Sequence, residues 1–101
     1  MLKIVKITGE SLFPDYQEGD YVIVITIPFL PFKQGDTVVF RHSDYGIMIK
    51  KINRVDSDKI HVIGLHPNSV DSRQFGPISR NDIIGKVIFH IRKPVEKMQI
   101  G

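Results

Sequence analysis

Six short runs of apolar and β-branched residues follow one another along the chain: "LKIVKIT" 2–8, "YVIVITI" 21–27, "DTVVFRH" 36–42, "GIMIKKINRV" 46–55, "KIHVIGL" 59–65 and "IIGKVIFHI" 83–91. Valine, isoleucine, threonine and aromatic side chains suit a pleated, half-buried surface, so each run predicts a strand. Turn formers divide them, in "QEGD", "KQGD", "HSDYG", "DSD" and "HPNS". No window of helical length repeats its apolar residues at the helical period. The chain reads as all-β, with short helical turns at most, one in "LFPDYQ" 12–17 and one near "SRND" 79–82. "EGDYVIV" and "QGDTVVF" look alike, yet two Gly-Asp turns entering strands do not make a repeat architecture.

Within "GIMIKKINRV", alternation sets Met48, Lys50 and Ile52 on one face and Ile47, Ile49, Lys51 and Asn53 on the other. Lys50 is therefore flanked by apolar neighbours on its own face, and Lys51 by Ile49 and Asn53. The pattern favours Lys50 as the inward lysine; the competing reading leaves both lysines solvated. "TIPFLPFKQGD" 26–36 carries Ile27, Phe29, Leu30 and Phe32 around two prolines. Prolines argue against a central strand there. The segment lines a cleft or covers the core in the preferred reading, and touches a bilayer or a partner in the other.

The length, 101 residues, suits one domain, taken as 1–101. Hydrophobic residues make up 42 % and charged residues 25 %, which marks a globular chain. The longest apolar stretch, "YVIVITIPFLPF", has 12 residues, short of the roughly 20 that a membrane-spanning helix needs. The N-terminus lacks the apolar region of a signal peptide. A soluble, cytoplasmic domain is expected, with a membrane-associated catalytic domain lacking its anchor as the alternative. The tail after Pro94 is expected to fray. There is no cysteine, which rules out disulfides, thiolate metal sites and a cysteine nucleophile. The net charge of +3 is scattered, and no strip of aromatics alternates with Lys or Arg, so no nucleic-acid partner is expected.

Ser11 stands between Gly9 and Pro14, at the end of one predicted strand and just before the turn into the next. A serine hydroxyl is inert until a base takes its proton. The histidines, His42, His61, His66 and His90, show neither a triad signature nor a metal-ligand spacing. No metal or other cofactor is expected. A lysine serves as base only when apolar burial lowers its pKa, which returns attention to Lys50.

Three blocks in fixed order carry a family resemblance. "GESLFP" 9–14 with "EGDYVIV" after it resembles the GxSMxP…GD box of the signal peptidase I and LexA-type serine peptidases. "QGDTVVF" and then "MIKKINRV" resemble their second block. "NSVDSRQFGPISRNDIIGKV" 68–87 is similar to the signal peptidase box NSxDSRxFGxV…IxGK. The resemblance covers residues 7–88 and lies closest to the signal peptidase branch. It implies a coiled half-barrel or sandwich-like β fold and a serine endopeptidase with a Ser/Lys dyad. Ser11 then corresponds to the nucleophile and Lys50 to the general base. Ser69 corresponds to the serine that orients the base, and Asp71 and Arg73 to a supporting carboxylate–guanidinium pair. Gly9, Leu12 and Pro14 are assigned to the substrate cleft. The implied partner is an extended polypeptide, a precursor or signal peptide, with small residues near the scissile bond. Peripheral membrane contact through 26–36 is a further implication.

The departures are Leu12 where the family has methionine, Gly9 where some members have an oxyanion-binding serine, and "GLH" 64–66 for the family's "GDN". A LexA-like self-cleaving core is disfavoured, because the chain has no alanine or cysteine and so no Ala-Gly or Cys-Gly bond. The remaining alternative is a catalytically inactive, peptide-binding homologue of the same fold.

Overall fold

The computed structural model describes residues 1–9 and 12–93. The expected fraying beyond Pro94 lies outside these residues. The six predicted strands all form: β1 (Leu2–Lys6), β2 (Tyr21–Ile25), β3 (Thr37–His42), β4 (Gly46–Asp56), β5 (Lys59–Ile63) and, after the short β6 (Ile78–Ser79), β7 (Ile83–Ile91). They make one antiparallel sheet in the order β1-β2-β7-β3-β4-β5-β6. The fold is all-β.

The strand β3 explains how one sheet carries two cores. Val38 and Phe40 point to one face and pack with Ile52, Ile60, Val62 and Ile78. Val39 points to the other and packs with Ile7, Val22 and Val24. The first core lies over β3, β4 and β5, the second over β1, β2, β7 and β3. Each fully buried aliphatic or aromatic side chain contributes about 1.5–3 kcal/mol relative to exposure, and β3, with four of its six residues buried, is the most buried strand.

The two Gly-Asp turns are the same device. Asp20 Oδ2 accepts from the backbone N–H of Gln17, and Asp36 Oδ2 from that of Lys33, each at 3.0 Å. Gly19 and Gly35 both sit at φ +93, where a side chain is strained. Ile7 donates to Asp20 O and accepts from Gly19 N; Ile52 donates to Asp36 O and accepts from Gly35 N. Each carboxylate also meets a nitrogen-bearing side chain on β7, His90 Nε2 at 2.7 Å from Asp20 and Lys86 Nζ at 3.2 Å from Asp36. His90 lies opposite Val22 and Lys86 opposite Val38, so each of the two faces the residue two beyond its aspartate. The likeness of "EGDYVIV" and "QGDTVVF" is thus a repeated turn, though not a repeat architecture.

Two short elements were not anticipated. The helix α1 (Ser72–Phe75) is opened by Asp71 as N-cap, with Gln74 completing a capping box. The strand β6 is two residues long. The turn near "SRND" forms as a single 3-10 turn, Arg80–Asp82, while "LFPDYQ" closes one loop through Tyr16 N donating to Leu12 O at 3.0 Å. The 26–36 segment divides between the two readings. Phe32 packs against the first core, whereas Phe29 is 100 % exposed, which overturns the core-or-cleft placement for that residue. Among the described residues no helix is long and apolar enough to cross a membrane.

Candidate functional site

The strand β4 is paired with β3 along Gly46–Lys51, but β5 joins it only from Lys51 onward. The Gly46–Lys50 half therefore leaves the sheet on one side, and a cleft of about 710 Å3 runs along it. Both faces of the strand contribute to its lining: Ile47 and Ile49 from one, Met48 and Lys50 from the other. Val5 and Ile7 close it from the end of β1, and His66, Ser69 and Val70 from the loop after β5.

Alternation places the two lysines as expected. Lys50 is opposite Val38, on the first core's face, and is 1 % exposed. Burial pushes its amine below the usual lysine range; the Asp71 carboxylate opposes that shift and the Arg73 guanidinium adds to it. Lys51 points to the opposite face, is 29 % exposed, and its Nζ lies 3.1 Å from Asp15 Oδ2. One lysine is dry and lines the cleft; its neighbour is wet and paired.

The loop that carries Ser69 is tied to β5 by its own sequence. Asp71 is fully buried. Its Oδ2 accepts from Gly64 N at 2.9 Å and from Arg73 Nη2 at 2.7 Å, and its Oδ1 from Arg73 N and Nε, both at 3.0 Å. Burial works against ionisation of this carboxyl, but the Arg73 fork and the two backbone donors outweigh it and bring its pKa to about 2. Ser72 Oγ accepts from Val62 N at 2.8 Å. The "DSR" letters thus weld α1 to the end of β5. Ser69, 8 % exposed, follows from there into the cleft wall, its N–H donating to His66 O at 3.0 Å. Phe75 then meets His42 at 4.6 Å and Tyr45 at 5.9 Å, ring to ring, and fixes the β3–β4 turn.

Lys50 and Ser69 line one cleft, and Asp71 and Arg73 lie behind it. Ser11 lies outside the described residues. Gly9, at φ +80, follows Thr8, which does line the cleft. Leu12 is turned inward, 1 % exposed, and Pro14 is on the surface; neither belongs to the cleft lining. Ile47, Ile49, Tyr45 and His66 were not singled out from the sequence. The signal available for the first two was the alternation that assigned them to one face; no local motif marked the others.

A family model described as Peptidase S24-like matches residues 1–88. No curated protein matches the chain. With 88 of its 101 residues covered, the chain belongs to the Peptidase S24-like family.

Proposed function

We propose that the chain is a serine endopeptidase of the signal peptidase-like kind, acting through Ser11 and Lys50. The observation that carries this reading is the desolvated Lys50 at the cleft, with Lys51 turned away and paired. Lys50 as a neutral amine takes the proton of Ser11 Oγ while the oxygen attacks the peptide carbonyl. The tetrahedral oxyanion is held by backbone N–H groups, that of Ser11 among them. Protonated Lys50 returns its proton to the leaving amine, and a water that Lys50 deprotonates then hydrolyses the ester. Ser69 orients the amine, and Asp71 with Arg73 holds the Ser69 loop. The substrate lies extended along the Gly46–Lys50 half of β4, with small residues at P1 and P3.

The test is cleavage of a mixed library of unstructured peptides between pH 6 and 10, read by mass spectrometry. Products should vanish with Ser11→Ala and with Lys50→Ala, persist with Lys51→Ala, and form faster as pH rises through one alkaline pKa. Loss in Lys51→Ala with retention in Lys50→Ala would exchange the roles of the two lysines. Binding of peptides without Ser11-dependent cleavage would favour the inactive homologue.

A further inference from the structure

The sequence of the β3–β4 hairpin decides where Tyr45 stands. His42 pairs with Gly46, so Ser43, Asp44 and Tyr45 form the loop between them. Gly46 closes that loop at φ +75, a conformation that a side chain would strain. His42 Nδ1 accepts from Asp44 N at 3.0 Å, which fixes the imidazole at the hairpin tip. Two rings then back the tyrosine. Its centroid lies 5.2 Å from that of His42 and 5.9 Å from that of Phe75, at interplanar angles of 50° and 42°. Phe75 itself packs against the first core, so the brace reaches from the core to the hairpin tip.

A ring braced for packing alone would be covered. Tyr45 is 51 % exposed, and it lines the cleft. An aromatic side chain that is backed on its protein side and open on its cleft side is pre-organised. Little rotamer freedom remains for it to lose when a ligand covers it.

Its distance from the proposed base sets what it can touch. β5 covers the edge of β4 from Lys51 onward, so the edge is open only on the Tyr45 side of Lys50. A strand advances about 3.3 Å per residue, and the five steps from Lys50 back to Tyr45 therefore span about 17 Å. A peptide extended along that edge advances at the same rate. With P1 beside Lys50, its fifth or sixth residue before the scissile bond is level with Tyr45.

We propose that Tyr45 is a specificity-determining residue: it receives an aromatic side chain of the substrate, five or six residues before the scissile bond, and selects polypeptides that carry one there. A ring suits the place better than an aliphatic chain. Tilted aromatic pairs gain more than their buried area accounts for, and a substrate ring would extend the cluster of Phe75, His42 and Tyr45 by one member. The inference rests on the peptidase reading for the direction and register of the substrate. It adds a distal requirement to the small residues at P1 and P3.

The experiment measures kcat/KM of the full chain on unstructured peptides with alanine at P1 and P3. Phe, Leu, Ala or Glu is placed in turn at each position from P4 to P8. Phe should exceed Leu about three- to tenfold at P5 or P6 and at no other position, mainly through a lower KM. Tyr45→Phe should keep that preference, and Tyr45→Leu should abolish it. A tyrosine that only supports the hairpin would, when replaced, weaken the Phe and Leu peptides alike; an unchanged ratio in Tyr45→Leu therefore overturns the proposal. The same peptides are titrated against Ser11→Ala, with and without Tyr45→Leu, by fluorescence anisotropy. Binding that prefers Phe and depends on Tyr45, with no Ser11-dependent cleavage of any peptide, would sink the peptidase reading and uphold the aromatic subsite. Ser11-dependent cleavage with no aromatic preference at P5 or P6 would do the reverse. Neither cleavage nor binding overturns both.

Discussion

Replacing Lys50 by methionine separates what the buried amine costs from what it is proposed to do. Methionine nearly matches the lysine stem in volume and needs no solvation. Cleavage should fall by about 10^4-fold or more, as for removal of a dyad member, while the melting temperature at pH 7 should rise. The sign follows from proton linkage. The folded Lys50 pKa lies below the unfolded value, so between the two the unfolded chain holds a proton that the folded chain has lost. Stability from this group therefore increases with pH across that window, up to about 10.4. The wild-type melting temperature should climb relative to Lys50→Met between pH 7 and 10. A constant gap would mean that Lys50 is not desolvated in solution. Alternation along "GIMIKKINRV" had already separated Lys50 from Lys51, because period two is a property of the backbone. It said nothing of Asp15, the partner that holds Lys51, because that contact spans 36 positions of sequence.

At the level of elements, the strands were readable because β-branched runs and turn residues are local signals. The helix α1 was missed although its capping residues, Asp71 and Gln74, stood in the sequence; four residues are too few to show a period. The cleft was hidden for a different reason: it exists because β5 leaves β4 at Lys51, and strand pairing is not written in either strand alone. Two predictions belong here. Burial opposes ionisation of Asp20, but bonds from the backbone N–H of Lys93 and Gln17 and from His90 bring its pKa to about 2. A lowered carboxylate pKa gives stability that is present above the unfolded value and lost as pH falls through the folded one. Asp20→Asn should therefore lower the melting temperature at pH 7, with the difference from wild type closing as pH approaches 2. A gap independent of pH would assign the loss to hydrogen bonding alone. Gly85, in "IIGKV", pairs with Val39 of β3 and lies tight against the end of β2. A Cβ there would lie 2.4 Å from Val24 Cγ1 and 2.6 Å from Ile25 O. Backbone cannot yield as a side chain can, so Gly85→Ala should cost about 1–3 kcal/mol in denaturant unfolding. A neutral result would show that the two strands separate there without penalty.

For the molecule as a whole, the question is whether two cores on opposite faces of one sheet melt as one. β3 supplies Val38 and Phe40 to the first and Val39 to the second, and it is bonded to β4 on one side and β7 on the other. Neither core keeps its floor if β3 leaves, so the two should unfold together despite being separate clusters. Tyrosines report on both: Tyr16 packs against the second core, and Tyr45 stacks on Phe75, which packs against the first. Phe40→Ala, a fully buried ring, should cost about 3–5 kcal/mol and shift a single transition. Val22→Ala, on the other face, should shift that same transition by less, since it removes fewer buried atoms. The measurement is denaturant unfolding of each variant by far-ultraviolet circular dichroism and by tyrosine fluorescence. Coincident curves in both variants are expected. If Phe40→Ala splits the fluorescence transition from the dichroism transition, the two faces fold independently, and the cleft that draws on residues from both would lose its shape before the sheet is lost.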